Sequence, residues 1–331
     1  MLSVRLFGSG DLRIQEEPVP APKQGEKLVR VKAVGVCGSD LHWFEDGGIG
    51  DAQLKRPLVL GHEFAGITED GGRMAVDPAL PCGECEFCQQ GNPNLCPAVI
   101  FAGHGEQDGG LREYIAWDSR RLYPIPDTLS ESDGAMLEPL GVALHALDLG
   151  KLRAGMTIGV FGCGPIGLLV VQLARRMGAA RIIATDVLPH RVEAAITYGS
   201  DEAYLANRRE EIHPILEATQ GRGVDVAFEC AGEQAAVDTS FAAAVPGGKV
   251  ILVGIPANDQ TSFSASTARR KGLTIKLVRR MKHTYPRAIE MVTRGLVDVS
   301  SLVTHTFPLA QAMDAFQLAV RREGLKVMIT L

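Results

Sequence analysis

Residues 157–186 read TIGVFGCGPIGLLVVQLARRMGAARIIATD. The apolar run at 157–161 predicts a short buried strand, which ends at the glycine-rich turn GCGPIG. An apolar stripe at helical spacing follows as far as Gly178, and a second apolar run ends in Asp186. This order of strand, glycine turn, helix, strand and acid is the dinucleotide-binding fingerprint in the context that it requires.

Each glycine of the turn has a separate expected role. Gly162 permits the tight turn, Gly164 lets the backbone approach a pyrophosphate, and Gly167 lets the helix pack on the strand. The pyrophosphate would lie on free N–H groups at the helix N-terminus. The remaining residues that we assign to the cofactor site are Pro165, Ile166, Arg191, Val253, Gly254 and Ile255. A glycine turn in an α/β core without a ligand is the alternative.

The acid after the second strand favours NAD over NADP. Asp186 can accept hydrogen bonds from ribose hydroxyls, and the same carboxylate would repel a 2′-phosphate. Residues 187–189 offer no cation to hold such a phosphate, and Arg191 is expected to reach the adenosine side.

Length and composition exclude several classes of function. The chain has 331 residues, of which 46% are hydrophobic and 22% charged, so two domains with real cores are expected. A net charge of −5 gives no electrostatic reason to expect nucleic acid or an anionic membrane as a partner. The N-terminus does not resemble a signal peptide. Seven cysteines, mostly in tight motifs, indicate a reducing compartment, and we expect the protein to be cytoplasmic.

The chain changes character near its middle. Residues up to about 135 have the pattern of short strands and turns, which predicts an all-β region with loops. A helix is predicted over 138–150, and strands alternate with helices from 157 to 254. Two amphipathic helices are predicted near the end, at 284–292 and 309–320.

Four cysteines form the strongest metal signal in the sequence. Cys82, Cys85, Cys88 and Cys96 have spacings that can close a tetrahedron of thiolates around zinc, which makes a structural site. Four reduced core cysteines are the alternative, but the intervening residues are polar. A nucleic-acid-binding zinc module is disfavoured because no Lys or Arg occurs between Arg73 and Arg112.

Cys37, His62 and Glu63 form a second candidate site. A catalytic zinc needs three protein ligands and an exchangeable fourth position, and a thiolate, an imidazole and a carboxylate would supply the three. Their spacing in the sequence is loose, so a core cysteine and an ordinary Gly-His-Glu turn remain the alternative.

Taken together, these motifs resemble those of medium-chain zinc dehydrogenases of the sorbitol (polyol) and threonine dehydrogenase branch. The shared motifs are VCGSDLHWF, IGD, LGHEFAG, the four-cysteine lobe, LEPLGVALHA, GCGPIG, FECAG and RRMKHTYPRAI with LVTHTFPL. They occur in order over nearly the whole chain.

The resemblance implies an α/β protein with a GroES-like, β-rich catalytic domain and a Rossmann domain. The Rossmann domain is expected to be a doubly wound parallel sheet that binds NAD. On this basis the catalytic domain covers residues 1–138, with the structural zinc lobe at 80–97. The NAD-binding domain covers 139–276, and residues 277–331 return to the catalytic domain.

The resemblance also implies roles for individual residues. Cys37, His62 and Glu63 would bind a catalytic zinc, and Glu138 would hold or exchange with its water; which glutamate binds the metal directly stays open. Ser39 and His42 match a proton relay. The expected substrate contacts are Trp43, Phe101 and Arg280, and His104 is a pocket candidate without a role.

The implied function is a zinc-dependent oxidoreductase. It would transfer hydride between a secondary hydroxyl of a polyol, sugar alcohol or sugar acid and NAD, with one catalytic and one structural Zn²⁺. The alternatives are an L-threonine 3-dehydrogenase and a non-catalytic sensor that binds NAD and zinc on the same fold. No nucleic-acid or membrane partner is expected, and the family is usually a homotetramer or homodimer.

We expect Asp186→Ala to weaken the binding of NAD more than that of NADP, because only the 2′-hydroxyl of NAD benefits from a carboxylate. Fluorescence titration of both cofactors measures this ratio. An equal loss for the two cofactors would contradict a role of Asp186 in specificity.

Overall fold

The computed structural model describes residues 1–207 and 209–331, which form two compact units. Unit 1 comprises Met1–Gly141 and Lys282–Leu331, and unit 2 comprises Val142–Met281. The middle of the chain therefore forms one unit, and the two ends together form the other.

The N-terminal part of unit 1 consists mainly of strands. Its elements are β1 (Leu2–Gly8), β2 (Asp11–Glu16), β3 (Glu26–Gly35), α1 (Gly38–Asp46), β4 (Gly48–Ile49), β5 (Ala52–Gln53), β6 (Leu58–Val59), β7 (Glu63–Thr68), β8 (Arg73–Val76), β9 (Ala79–Leu80), α2 (Glu86–Gln89), β10 (Ile100–Phe101), β11 (Tyr114–Asp118), β12 (Leu122–Pro124) and α3 (Glu131–Gly150). Helix α3 contains the boundary with unit 2.

Unit 2 alternates strands with helices. Its elements are β13 (Thr157–Phe161), α4 (Pro165–Arg176), β14 (Arg181–Asp186), α5 (Pro189–Thr197), β15 (Glu202–Leu205), α6 (Ile212–Ala218), β16 (Val224–Glu229), α7 (Gln234–Ala243), β17 (Ala244–Leu252), α8 (Ala265–Lys271) and β18 (Thr274–Leu277). The chain then returns to unit 1 as α9 (Tyr285–Thr293), β19 (Val303–Pro308), α10 (Ala312–Val320) and β20 (Lys326–Thr330).

Strand β3 is central to the main sheet of unit 1. That sheet has the order β12-β8-β7-β3-β20-β19, and β11 also pairs with β3. Val29, Val31 and Val34 of β3 are fully buried, as expected for a β-branched strand in the middle of a sheet. The last strand of the chain, β20, is antiparallel to β3 and thereby joins the two ends of the sequence in one core.

Unit 2 is built on a parallel sheet with the order β15-β14-β13-β16-β17-β18. This is the strand order of a doubly wound dinucleotide-binding sheet. Strand β13 is buried from Ile158 to Phe161, as is typical of the inner strands of a parallel sheet. The predicted fold class is therefore confirmed.

Helices α1, α2 and α3 differ from the sequence prediction, and α2 is a short helix of four residues in the region predicted as strands and loops. Helix α1 lies within the region predicted as strands and loops, and it is stabilised at its first turn by Asp40, which accepts the Cys37 N–H at 3.0 Å. Helix α3 begins at Glu131 and not at residue 138, because Ser130 and Asp133 bond to each other's backbone N–H groups. Pro139 lies inside the helix.

A membrane-spanning helix would need a long apolar segment. Among residues 1–207 and 209–331, none of the helices has the length and apolarity needed to span a bilayer.

Candidate functional site

The side chains of Cys37, His62 and Glu63 converge in unit 1. Cys37 lies between β3 and α1, His62 immediately precedes β7, and Glu63 is the first residue of β7. The cysteine Sγ, one ring nitrogen and one carboxylate oxygen lie within 4.8 Å of one another. His62 and Glu63 are buried. Three donors of these types can hold zinc and leave a fourth position for an exchangeable ligand.

Asp40 fixes the geometry of this group, and sequence reasoning missed it. Its Oδ2 accepts the Cys37 N–H, and its Oδ1 accepts the Gly61 N–H at 3.2 Å. The same Oδ1 lies 3.3 Å from Nδ1 of His62. A carboxylate on Nδ1 orients the ring and leaves Nε2 for a metal. The available signal was an acid three residues after Cys37, at the start of a helix.

The charges around His62 favour its protonated form when no metal is bound. Burial disfavours that form, but the negative charges of Asp40 and Cys37 outweigh burial and raise the pKa of His62 well above its usual range. This local excess of negative charge is the environment that a divalent cation would neutralise.

Glu138 adds a further buried acid near this group. It lies on α3 and is 5% exposed. Burial raises the pKa of Glu138 to about 8, with the charge of His62 opposing and that of Glu63 adding to the shift. A carboxyl group of this kind can hold or release a proton near neutral pH.

Ser39 and His42 both lie on α1. The Ser39 hydroxyl is 3.3 Å from Nε2 of His62. Nδ1 of His42 lies 3.3 Å from Oδ2 of Asp46, one helical turn further along. Ser39 is therefore beside the candidate metal ligands, and His42 is at the more exposed end of the helix. Their relay role stays a prediction.

Aromatic rings border the candidate metal group. The ring of Phe101 lies 5.4 Å from that of His62, and the ring of His104 lies edge-on to Trp43 at 5.5 Å. Trp43 is only 1% exposed, so most of its surface packs in the core of unit 1. Arg280 lies in unit 2, with a backbone φ of 53°. The substrate roles of Trp43, Phe101 and Arg280 stay predictions.

The four cysteines at 82–96 form the second candidate metal group. Their Sγ atoms all lie within 4.8 Å of one another, and no disulfide joins any cysteine of the described chain. Sγ of Cys82 is 4.0 Å from Sγ of Cys88 and 3.6 Å from that of Cys96. Four sulfur donors at such distances match a closed structural zinc site.

Backbone N–H groups support negative charge on two of these sulfurs, those of Cys82 and Cys96, whereas desolvation raises the pKa of Cys88 to about 12. The Cys85 N–H donates to Sγ of Cys82 at 3.3 Å, and the Cys82 N–H donates to Sγ of Cys96 at 3.4 Å. Backbone N–H groups of Glu84 and Cys85 lower the pKa of Cys82 to about 7. A lowered thiol pKa favours the thiolate form that binds metal.

In the glycine turn of unit 2, Gly162 and Gly167 lie where a side chain would collide with the surrounding chain. Gly162 has a φ of 100°, and a Cβ there would be 2.7 Å from the Ala231 nitrogen. A Cβ on Gly167 would collide with the carbonyl oxygen of Gly162. These two glycines therefore shape the turn itself.

Gly164 differs from its neighbours. Its φ is −67°, and a Cβ there would meet nothing closer than Nη1 of Arg191 at 3.7 Å. Gly164 also precedes α4, whose N-terminus has no side-chain cap. The chain itself does not need a glycine here, so its small size leaves room for a ligand at the helix N-terminus.

Asp186 and Arg191 flank this turn. The carboxylate of Asp186 accepts the Cys163 N–H at 2.7 Å and the Leu188 N–H at 2.9 Å. Asp186 therefore also holds the turn in place, so Asp186→Ala is expected to affect the binding of both cofactors. The ratio of NAD affinity to NADP affinity separates the role of Asp186 in specificity from this structural role. Its contact with a ribose stays a prediction.

The segment after β17 packs closely on the segment after β16. Buried Glu229 accepts the N–H groups of Ala231 and Gly232, both at 2.8 Å. A Cβ on Gly254 would collide with the Gly232 nitrogen, and Ile255 is 49% exposed. The cofactor roles of Val253, Gly254 and Ile255 stay predictions.

The sequence matches two family profiles and curated relatives over almost its full length. The alcohol dehydrogenase GroES-like domain matches residues 23–127, and the zinc-binding dehydrogenase family matches residues 165–294. Sorbitol dehydrogenase of Bacillus subtilis (strain 168) is 37% identical over 341 residues, covering 99% of this chain and 97% of that protein. Human sorbitol dehydrogenase is 36% identical, with coverages of 99% and 95%.

The chain belongs to the zinc-dependent medium-chain alcohol dehydrogenases, in their polyol branch. Membership in this family makes it an oxidoreductase that uses Zn²⁺ and a nicotinamide cofactor.

Solved structures agree with the fold of this dehydrogenase. An Escherichia coli oxidoreductase/dehydrogenase of unknown specificity superposes with a TM-score of 0.94 at 31% identity, covering 99% of this chain and 98% of that chain. A putative zinc-binding dehydrogenase from Sinorhizobium meliloti 1021, bound to NADP, gives 0.91 at 29% identity, with coverages of 100% and 99%. L-idonate 5-dehydrogenase from Escherichia coli gives 0.92 at 27% identity, with coverages of 100% and 98%.

The residues of this dehydrogenase fit zinc and a nicotinamide dinucleotide, which are the metal and the cofactor of its family. Each cluster of potential metal ligands has donor types that zinc accepts, and each lies within unit 1. The free space at Gly164 fits an approaching pyrophosphate in unit 2.

The two glycines of the turn provide a matched pair for testing the cofactor site. We expect Gly164→Ala to leave the midpoint of thermal unfolding within about 1 °C, while it weakens NAD binding at least about tenfold by filling the ligand's space. We expect Gly167→Ala to lower both the midpoint of thermal unfolding and the affinity for NAD, because its Cβ collides with the Gly162 carbonyl oxygen. Scanning calorimetry and cofactor titration measure the two effects; unimpaired NAD binding by Gly164→Ala would contradict the assignment.

Proposed function

We propose that this dehydrogenase oxidises a secondary hydroxyl group of a polyol, sugar alcohol or sugar acid, and transfers the hydride to NAD. The observation that carries the proposal is the convergence of Cys37, His62 and Glu63 in a chain whose relatives include sorbitol dehydrogenases. L-idonate 5-dehydrogenase, which superposes on the whole chain, supports including sugar acids.

In this proposal Cys37, His62 and Glu63 hold the catalytic zinc. A zinc ion held there supplies a Lewis acid that lowers the pKa of a hydroxyl group. Asp40 holds the His62 ring through Nδ1, which keeps Nε2 available as a ligand. Glu138 is buried near these ligands with a raised pKa, and it can bind a water or exchange a proton there.

We infer that Ser39 accepts the proton that leaves the substrate hydroxyl and releases its own hydroxyl proton towards His42. Ser39 is supported in this role by its position 3.3 Å from His62. His42 lies one turn further along α1, where Asp46 holds its ring, and it passes the proton to solvent. Phe101 and His104 border the same region and offer apolar and polar surface to a polyol.

We infer that the cofactor is NAD, which accepts the hydride when it is bound at unit 2. Support comes from the room at Gly164, the uncapped N-terminus of α4 and the carboxylate of Asp186. The putative zinc-binding dehydrogenase from Sinorhizobium meliloti 1021 is bound to NADP, and the test below therefore compares the two cofactors.

The proposed function is tested with a substrate panel. Sorbitol, other polyols, sugar acids and L-threonine are each assayed with NAD and with NADP, before and after chelation. We expect turnover of polyols or sugar acids with NAD. This turnover should be lost when chelation removes the catalytic zinc, which exchanges more readily than the structural zinc. Cys37→Ser is the control, and it should bind NAD without turnover.

Other outcomes would contradict the proposal in distinct ways. Oxidation of threonine but of no polyol would identify a threonine dehydrogenase. Binding of NAD without zinc-dependent turnover of any substrate would favour a non-catalytic sensor.

We further propose that the protein acts as a homotetramer or homodimer in the cytoplasm. Strand β18 is an edge strand of the parallel sheet, and its residue Leu277 is 72% exposed. An exposed apolar edge strand can pair with a strand of another chain. Phe87, Leu95 and Ile100 around the cysteine cluster are also exposed. An exposed apolar surface on each unit suits an assembly with two kinds of interface. Free thiols at seven positions suit a reducing compartment.

We expect Leu277→Asp to reduce the mass of the assembly in solution, because a charge would be buried at the interface. Leu205→Asp is the matched control, since Leu205 is 51% exposed on β15, at the opposite edge of the same sheet. Light scattering measures both masses. An unchanged mass for Leu277→Asp would contradict the use of β18 as an interface.

A further inference from the structure

A buried lysine contacts one of the candidate metal ligands. The ammonium of Lys326, the first residue of β20, forms an ion pair with Oε2 of Glu63. The side chain of Lys326 is 2% exposed and that of Glu63 is 1% exposed. Lysine is almost never fully buried unless it is paired, so the site provides a dedicated place for this charge.

A glycine on the neighbouring strand makes room for the pair. Gly35 of β3 lies opposite Glu63 of β7 on one side and opposite Met328 of β20 on the other. A Cβ on Gly35 would collide with Oε2 of Glu63 and would come within 2.9 Å of Cε of Lys326. The backbone of Gly35 does not have a positive φ, so the glycine is needed here for space and not for conformation.

The ion pair places two demands on one carboxylate. Glu63 offers an oxygen to the group that it forms with Cys37 and His62, and its Oε2 is held by Lys326. Glu63 lies on β7 and Lys326 lies on β20, and these two strands flank β3. The pairing of β7 and β20 with β3 therefore sets the position of the Glu63 carboxylate relative to the Lys326 ammonium. A metal ion at this group would share Glu63 with a second cation, and the two cations would repel each other.

We propose that Lys326 is a positioning residue that holds Glu63 and weakens the binding of the catalytic metal. The inference rests on the proposed function in one respect only, namely that Cys37, His62 and Glu63 bind zinc. When Lys326 is replaced by a neutral residue, Glu63 keeps its full charge for the metal, and the zinc-free protein retains a buried carboxylate without its cation. Removing the ammonium therefore tightens zinc binding and destabilises the zinc-free protein selectively.

The test is zinc affinity, measured on the full chain without substrate or NAD. A chromophoric chelator competes for zinc with wild-type protein, Lys326→Met and Lys326→Gln. We expect both variants to bind the more exchangeable zinc at least about tenfold more tightly. We also expect their zinc-free forms to lose more thermal stability than their zinc-loaded forms. Lys326→Gln keeps a hydrogen-bond donor for Glu63 and guards against misfolding of the methionine variant.

Two controls isolate the contact. In a Glu63→Gln background, Lys326→Met should tighten zinc binding by clearly less than it does in the wild-type background, because the shared carboxylate is gone and only the repulsion between the ammonium and the metal remains. Lys32→Met removes another lysine of the same sheet, whose ammonium donates to the Leu331 carbonyl, and it should have wild-type zinc affinity. Cys37→Ser should not bind the zinc ion whose affinity changes in the lysine variants, because this substitution removes one of its proposed ligands.

Unchanged or weaker zinc binding in both lysine variants would overturn the proposal. Equal losses of stability with and without zinc would also overturn it, because they would identify Lys326 as structural only. Zinc affinity is measured without turnover, so a failure of the substrate panel would not affect this result.

Discussion

The arrangement of the candidate metal group depends on the buried carboxylate of Asp40. Its two oxygens accept the N–H groups of Cys37 and Gly61 and also lie next to the His62 ring. One side chain thus starts helix α1, fixes the turn before β7 and orients a ligand. Because Asp40 is 1% exposed, each of these bonds forms in a region of low dielectric, where a lost partner is costly.

Charge at this site is balanced over several elements of unit 1. Asp40, Glu63, Glu138 and Cys37 carry or can carry negative charge, and Lys326 is the nearby buried ammonium. Such a collection is stable only when cations compensate it. With the catalytic zinc that we propose at this group, the buried lysine and the metal would together supply that compensation, and folding of the sheet and binding of the metal would be coupled.

The sequence was most informative where function depends on local backbone geometry. The strand, turn and helix around Gly162 and Gly167 followed from their spacing, because a glycine turn of this kind has few structural solutions. Helix α1 was not predicted, because its start depends on the Asp40 side chain rather than on an apolar period. The pairing of Glu63 with Lys326 could not be predicted either, since it arises from strand order in the folded sheet.

The position of β20 has a consequence for the order of folding during synthesis. Unit 2 is one continuous stretch of chain, so all of its strands are available once residue 281 has left the ribosome. Unit 1 lacks β20, one of the three strands that pair with β3, and Glu63 lacks its cation, until residues 326–331 emerge. Nascent chains therefore expose an incomplete sheet edge until β20 has been synthesised, and a truncation before Lys326 would leave that edge open in the released protein.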